Sequence, residues 1–134
     1  MANNTKYMFA EASTNEESGL TNTLLGDQCG YELRARRWYL HDPPWSKVFR
    51  FNDPAIAEEI ATRMEKSITN GYVGYDQNTR NTLLYALLNG ETKDNSSYTI
   101  PLEMIDAVHT NCCTDCSALA YTAIRGATNV IFDS

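Results

Sequence analysis

Residues 111–124, Asn111 to Ile124, have the sequence NCCTDCSALAYTAI, and the fold is best interpreted outward from them. Three of the chain's four cysteines lie here within five residues, and an apolar run of helical character follows directly. Thr114 or Asp115 can cap a helix that begins near residue 114, which places Cys116 in the first turn. At that position the helix dipole and the unpaired N–H groups stabilise a thiolate. The pattern therefore favours a nucleophile at a helix end.

The same cysteines allow other interpretations. His109, Cys112, Cys113 and Cys116 form an H-x2-C-C-x2-C pattern with enough donors for zinc. Structural zinc usually joins two ligand pairs roughly a dozen or more residues apart, so this is the weaker alternative, and we predict neither a metal nor a cofactor. Cys29 could form a disulfide with either vicinal cysteine, but free thiols are more usual without a secretion signal. From spacing alone, a buried helix-end cysteine is also open.

Composition excludes several classes of function. The chain has 134 residues, 43% of them hydrophobic and 21% charged, which suits one globular domain. Its formal charge of −6 argues against a nucleic-acid surface, although residues 31–50 carry five Lys or Arg against two Asp or Glu. No apolar run is long enough to span a membrane, and the first residues do not resemble a signal peptide.

The amino-terminal part of the chain has weak patterns. Residues 1–30 are rich in Asn, Thr, Ser and Gly, which predicts an irregular or hairpin segment. Residues 31–52 contain two strand-like runs, ELRARRWY and KVFRF, separated by Pro43-Pro44. The first run alternates apolar and basic residues, as in a half-buried strand. We predict that these two runs form an antiparallel pair.

Residues 53–126 have helical patterns. Asp53-Pro54 is a typical helix start, and apolar residues recur every four positions from residue 56 to residue 68. Asn70-Gly71 predicts a left-handed end to that helix. A second helix is expected over 78–89, a short one near 102–108, and a last one from about residue 114 to residue 126. The predicted fold class is α+β, a small antiparallel strand pair followed by three or four helices, in a single domain over 1–134.

Several short motifs occur in an order that resembles a known family. The sequence TDCSAL is similar to the nucleophile motif of the NlpC-type papain-like cysteine peptidases, which cut bacterial cell-wall peptides. The resemblance is closer to a branch of endolysins encoded by phages, and it covers about residues 10–125. The motifs that carry it are, in order, Gly26-Asp27-Gln28, Trp38-Tyr39, Trp45, Arg50-Phe51, Gly74-Tyr75-Asp76-Gln77, Arg80-Asn81-Thr82-Leu83 and Thr114-Asp115-Cys116-Ser117-Ala118-Leu119.

The resemblance implies a site. Cys116 would be the nucleophile of a cysteine endopeptidase or amidase, Thr114 and Asp115 would cap or shape its turn, and Tyr75 would lie near the oxyanion. The family's histidine follows the cysteine helix, whereas His41 and His109 both precede it. His109 is a weak substitute, and His41 suits a turn. The resemblance thus implies the helical half of a papain-like fold, an incomplete catalytic domain that needs a downstream histidine.

Partners and location follow from the same resemblance. The expected substrate is the stem peptide of peptidoglycan. The expected protein is made in the bacterial host from a phage gene and acts at the cell wall or is carried in the virion. A half-fold would leave an apolar face near Leu119 and Ile124, to be covered by a carboxy-terminal hydrolase fragment or a second copy. The rival hypothesis is a non-catalytic wall-binding or virion structural module on the same scaffold.

Overall fold

The computed structural model describes residues 8–12, 33–37, 50–91 and 94–132. Within these ranges the chain forms four strands and four helices, in the order β1 (Met8–Ala12), β2 (Leu33–Arg37), α1 (Pro54–Thr69), β3 (Val73–Tyr75), α2 (Thr82–Leu87), α3 (Glu103–Asp106), β4 (Cys112–Thr114) and α4 (Cys116–Thr128). The described strands form two separate two-stranded sheets, β1 with β2 and β3 with β4. The α+β class is confirmed, and the arrangement of the strands is not.

The predicted strand pair within residues 31–52 is wrong in its partner. β2 pairs antiparallel with β1, from Met8 opposite Arg37 to Ala12 opposite Leu33. Of the two alternatives predicted for residues 1–30, irregular or hairpin, residues 8–12 are therefore not irregular. Residues 50 and 51 form no strand, and 47–49 lie outside the described ranges. The pairing buries Ala12 and Leu33 together in the core. Ala12, a buried residue of β1, is small, and five residues show little periodicity. The sequence therefore did not indicate this strand.

α1 begins as predicted and ends by a different mechanism. Asp53 caps it by accepting a hydrogen bond from the Ala55 N–H at 2.9 Å, and Pro54 is its first residue. The helix ends before Asn70, whose backbone is extended (φ −78°, ψ 118°) instead of left-handed. The Asn70 side chain explains this, because its amide donates to the carbonyl oxygens of Ile105 at 2.9 Å and Val108 at 3.2 Å. Its oxygen accepts from the Tyr72 N–H. A side-chain bridge to the α3 region thus replaces the expected backbone cap.

α1 packs closely against α4 at a glycine. Arg63 of α1 is 4% exposed and donates to the Ile100 carbonyl oxygen at 2.9 Å and to Glu59. Gly126 of α4 lies against this side chain, and a Cβ at Gly126 would stand 2.9 Å from the Arg63 Cζ. Only a residue without a side chain allows the two helices to approach with the guanidinium between them.

β3 and β4 were not predicted, and they matter most for the site. They pair in parallel, Val73 with Cys112 and Tyr75 with Thr114, inside the region that the sequence assigned to helices. α2 and α3 lie in the connection between them. Three-residue strands are too short to show a period of two, so helical patterns dominate the sequence around them.

α2 is shorter than the predicted helix over 78–89. Asp76 accepts hydrogen bonds from the Asn78 N–H at 3.0 Å and the Thr79 hydroxyl at 2.7 Å, which holds these residues in a turn and delays the helix to Thr82. The predicted stop is confirmed, since Asn89 (φ 50°) and Gly90 (φ 90°) both adopt left-handed backbone.

The predicted uncovered face on the last helix is wrong. Leu119 is 1% exposed and belongs to the core cluster, and Ile124 is half-buried. α4 is covered largely by α1, with further contacts to β1, β4 and α2. The described helices include none that combines the length and the apolar character needed to cross a membrane.

Candidate functional site

The amino-terminal end of α4 is organised by Asp115. Its Oδ1 accepts hydrogen bonds from the Ala118 N–H at 2.7 Å and the Ser117 hydroxyl at 2.8 Å, and the residue is 4% exposed. Of the two predicted caps, Asp115 is therefore the one that caps. Thr114 is the fully buried last residue of β4, and its hydroxyl donates to the Asp115 carbonyl oxygen. The sharp passage from strand to helix fixes where the next residue lies.

That next residue is Cys116, the first residue of α4, and it is exposed. Cys112 and Cys113 are both buried, and burial together with the neighbouring Cys113 raises the pKa of the Cys112 thiol to about 12. Of the three cysteines in the described ranges, the solvent-facing one is therefore the one at the helix end. Cys29 lies outside those ranges. The first-turn N–H groups of a helix and its dipole favour negative charge at this position.

The parallel strand pair brings Tyr75 to the same edge as Cys116. Tyr75 is opposite Thr114 in register, and the Asp76 N–H donates to the Thr114 carbonyl oxygen at 3.1 Å. Tyr75 is 5% exposed, and its phenol oxygen accepts a long hydrogen bond of 3.3 Å from Gln77. Its ring belongs to the core, and its predicted role near an oxyanion stays a prediction.

The turn after β3 places Arg80 beside the amino-terminal end of α4. Arg80 Nη1 lies 3.4 Å from Asp115 Oδ2, and the Arg80 side chain is 47% exposed. Burial alone would raise the pKa of Asp115, but the hydrogen bonds from Ala118, Ser117 and Arg80 outweigh it, so the pKa is lower than usual. The Thr79 hydroxyl and the Asn78 N–H donate to Asp76, which holds the turn, and these hydrogen bonds lower the pKa of Asp76. Asp115 is thus ionised at neutral pH and joined to three parts of the site.

His109 lies at the opposite edge of the strand pair. Its ring packs edge-on against Tyr72, with centroids 5.6 Å apart and planes at 89°. Tyr72 directly precedes β3, and its carbonyl oxygen accepts from the Cys112 N–H at 2.9 Å. Three strand residues at about 3.3 Å each separate this edge from the other, roughly 10 Å. The structure therefore does not bring His109 to Cys116.

The predicted zinc alternative finds no support in the described part of the chain. No three His, Cys, Asp or Glu side chains there lie close enough together to hold a metal ion. Cys112 belongs to the apolar core, whereas His109 and Cys116 are exposed at opposite edges of the strand pair. Four adjacent donors in sequence therefore do not converge in space.

A cleft of about 560 Å³ opens beside the first turn of α4. Ser117 and Ala118, the two residues after Cys116, form part of its wall, and Arg80 stands among the lining residues. The apolar part of the wall consists of Leu84, Tyr85, Ile131 and Phe132. Tyr85 is 57% exposed and Phe132 is 45% exposed, so large apolar surfaces face the opening. The two residues that follow the nucleophile candidate thus line a space of substrate size.

Asp94 in the cleft wall belongs to a buried ion pair. Arg125 of α4 is fully buried and donates from Nε to Asp94 Oδ1 at 2.9 Å. Its remaining donors reach Asn129 Oδ1 at 3.0 Å and the carbonyl oxygens of Asn95 at 2.7 Å and Tyr98 at 2.5 Å. The Tyr121 hydroxyl donates to Asp94 Oδ2 at 2.7 Å. Burial and this carboxylate raise the pKa of Tyr121 to about 12.

Sequence reasoning missed Arg80, Asp94 and Arg125. Arg125 carried a usable signal, because a lone arginine inside the apolar run ALAYTAIRGA needs a buried partner. Nothing in the sequence identified that partner as Asp94, since it lies 31 positions earlier in a polar loop. Arg80 stood in the quoted motif RNTL without an assigned role.

A family model described as an endolysin-like domain matches residues 9–131. No curated protein and no solved structure matches the chain. The predicted likeness to half of a papain-like peptidase therefore stays a prediction.

Proposed function

The chain belongs to the endolysin-like domain family, and from this premise we propose that it is a phage-encoded hydrolase of the bacterial cell wall, with Cys116 as its nucleophile. The substrate is the stem peptide of peptidoglycan, and the reaction is that of a cysteine endopeptidase or amidase. The protein is made in the host and acts at the wall or is carried there by the virion.

The observation that supports Cys116 best is its position. It is exposed, it is the first residue of a helix capped by a buried aspartate, and the residues that follow it border an open cleft. A thiolate at this point attacks the carbonyl carbon of an amide held in the cleft. In this proposal the N–H groups at the start of α4 that Asp115 does not use are the candidate donors to the developing oxyanion.

Turnover also needs a proton donor. Attack forms a thioester as the C–N bond breaks, the leaving amine takes a proton, and water then hydrolyses the thioester. General acid–base help is worth typically about 10²–10⁴-fold in such a step. His109 lies at the far edge of β3 and β4, and His41 lies outside the described ranges. We therefore expect this chain by itself to cleave amides slowly.

The test is hydrolysis of purified peptidoglycan by four proteins: the wild type, Cys116→Ala, His109→Ala and His41→Ala. The proposal expects slow release of new amino groups that Cys116→Ala abolishes and His109→Ala leaves unchanged. Loss in His41→Ala would identify the base. Loss in His109→Ala, with an unchanged melting temperature, would contradict the separation of His109 from the site. Equal activity of wild type and Cys116→Ala would refute the nucleophile.

A second candidate function is a wall-binding or virion structural module without catalysis. The observation that favours it is that no histidine lies beside Cys116 among the residues that the structure describes. Pelleting with purified peptidoglycan separates the two functions. Tight binding with no product at long incubation, identical in wild type and Cys116→Ala, supports the module. Product formation that depends on the thiol supports the hydrolase.

A further inference from the structure

Arg80 has unused hydrogen-bonding capacity in the cleft. A guanidinium carries five N–H donors in a rigid planar fork. Among the described residues, the Arg80 fork makes one hydrogen bond, the long one of 3.4 Å to Asp115 Oδ2. The other oxygen of Asp115 is held by its own helix at 2.7 Å and 2.8 Å. The Arg80 side chain is 47% exposed, so this cation at the cleft wall can donate further hydrogen bonds to an anionic ligand.

Asp94, the other charged residue that lines the cleft, does not compete with a ligand for Arg80, because it has its own partners. Asp94 accepts from Arg125 on one oxygen and from Tyr121 on the other, at 2.9 Å and 2.7 Å. Arg125 is fully buried, so its charge offsets that of Asp94 at short range and does not project into the cleft. The cleft thus offers an exposed cation and an already neutralised carboxylate, a combination that selects for a carboxylate on the ligand.

The remaining wall restricts what carries that carboxylate. Leu84, Tyr85, Ile131 and Phe132 present apolar surface. A suitable ligand therefore combines an anionic group with short aliphatic segments, as a stem peptide does through its alanine methyl groups and its γ-linked glutamate. Ser117 and Ala118, the two residues after Cys116, belong to the same wall, so a ligand bound through Arg80 lies beside the first turn of α4.

We propose that Arg80 is a specificity-determining residue that binds the free α-carboxylate of the γ-linked glutamate in the stem peptide. The protein then selects acidic stem peptides over those in which this carboxylate is amidated. This inference rests on the proposed function for its ligand, whereas the contact itself does not require Cys116 to react.

The test measures binding in the Cys116→Ala protein, so that turnover does not interfere. The probes are two synthetic tripeptides, L-alanyl-γ-D-glutamyl-L-lysine and its isoglutamine counterpart, both with amidated carboxy termini. They differ only in one carboxylate against one carboxamide. Calorimetric titration should show the acidic peptide binding at least about tenfold more tightly, the size expected for a charge-assisted bidentate contact.

Arg80→Gln in the same background should remove this preference by weakening the acidic peptide alone. Arg50→Gln is the matched control, because Arg50 is exposed, is not a lining residue of the cleft and carries the same charge. Its preference should be unchanged. Should Arg80 act only by supporting Asp115, the substitution would weaken both peptides equally, and the proposal is overturned.

Equal affinity of the two peptides for the parent protein also overturns it, as does the absence of binding by either. Those results leave the proposed hydrolase untouched, since thiol-dependent release of amino groups is measured separately on intact peptidoglycan. Conversely, a tenfold preference lost in Arg80→Gln establishes the carboxylate contact even where hydrolysis fails.

Discussion

Replacing Arg125 by methionine should destabilise the protein strongly. Methionine keeps much of the buried volume but removes an ion pair and hydrogen bonds to three other acceptors. Asp94, with its side chain 16% exposed, keeps the Tyr121 hydroxyl and loses its cation. Breaking a buried pair by removing one partner costs about 3–5 kcal/mol of unfolding free energy.

The expected change in melting temperature follows from the chain length. Unfolding entropy of about 2.1 cal/mol/K per residue gives ~0.28 kcal/mol/K for 134 residues, so the loss corresponds to about 11–18 °C. Circular dichroism at 222 nm during heating, supported by urea titration, measures it. Lys66→Met is the matched control, because the Lys66–Asp106 bridge of 2.6 Å has side chains 33% and 61% exposed. An exposed pair contributes about 0–1 kcal/mol.

Two outcomes would refute this reasoning. One is a melting temperature of Arg125→Met no lower than that of Lys66→Met, which would mean that the buried contacts contribute no more than exposed ones. The other concerns Arg125→Met combined with Asp94→Leu. Removing both charges should recover part of the loss, because no buried carboxylate then remains without its cation. A double variant less stable than the single one would show that the pair is not the source.

Three further predictions concern the α4 helix. Iodoacetamide at pH 6.5 should label Cys116 before the buried Cys112, measured residue by residue by mass spectrometry, and faster labelling of Cys112 would contradict the described burial. Wild type should be more stable than Asp115→Asn, and this difference in unfolding free energy should be full above the ordinary pKa of 3.8. It should vanish as the pH falls through the lowered pKa of the folded state, because folding stabilises only the ionised carboxylate. Urea titrations from pH 2 to pH 7 test this, and a difference that does not change with pH would contradict it. Gly126→Ala should destabilise by about 1 kcal/mol or more despite the better helix propensity of alanine, since its Cβ meets the buried Arg63, and a raised melting temperature would refute the close contact.

Local signals in the sequence predicted α1 and the amino-terminal start of α4. Asp53-Pro54 and Asp115 each act on backbone groups within three residues, so a cap is readable without knowing the rest of the fold. Cys116 could be singled out for the same reason, and its role as nucleophile stays a prediction. The expected caps failed only where a distant partner intervened, as when Asn70 reached the α3 region.

Features that depend on distant pairing were not predictable. β1 and β2 join residues about 25 positions apart through short strands without a clear period. The Asp94–Arg125 pair and the Arg80–Asp115 contact each span more than 30 positions, and either partner alone resembles an ordinary charged residue. Leu119 was expected on an open face because the packing of α1 over α4 joins distant parts of the chain and leaves no local pattern.

The pairing of β3 with β4 also sets when the site comes into being during folding. Val73 meets Cys112 about 40 residues later in the chain, so a large loop must close before the α4 end stands beside Tyr75 and Arg80. Each strand contributes three residues, too few to hold the pair without the surrounding core. Cys116 therefore acquires its surroundings only when the surrounding core forms cooperatively, and substitutions far from the cleft should lower the proposed activity through the fraction of folded molecules.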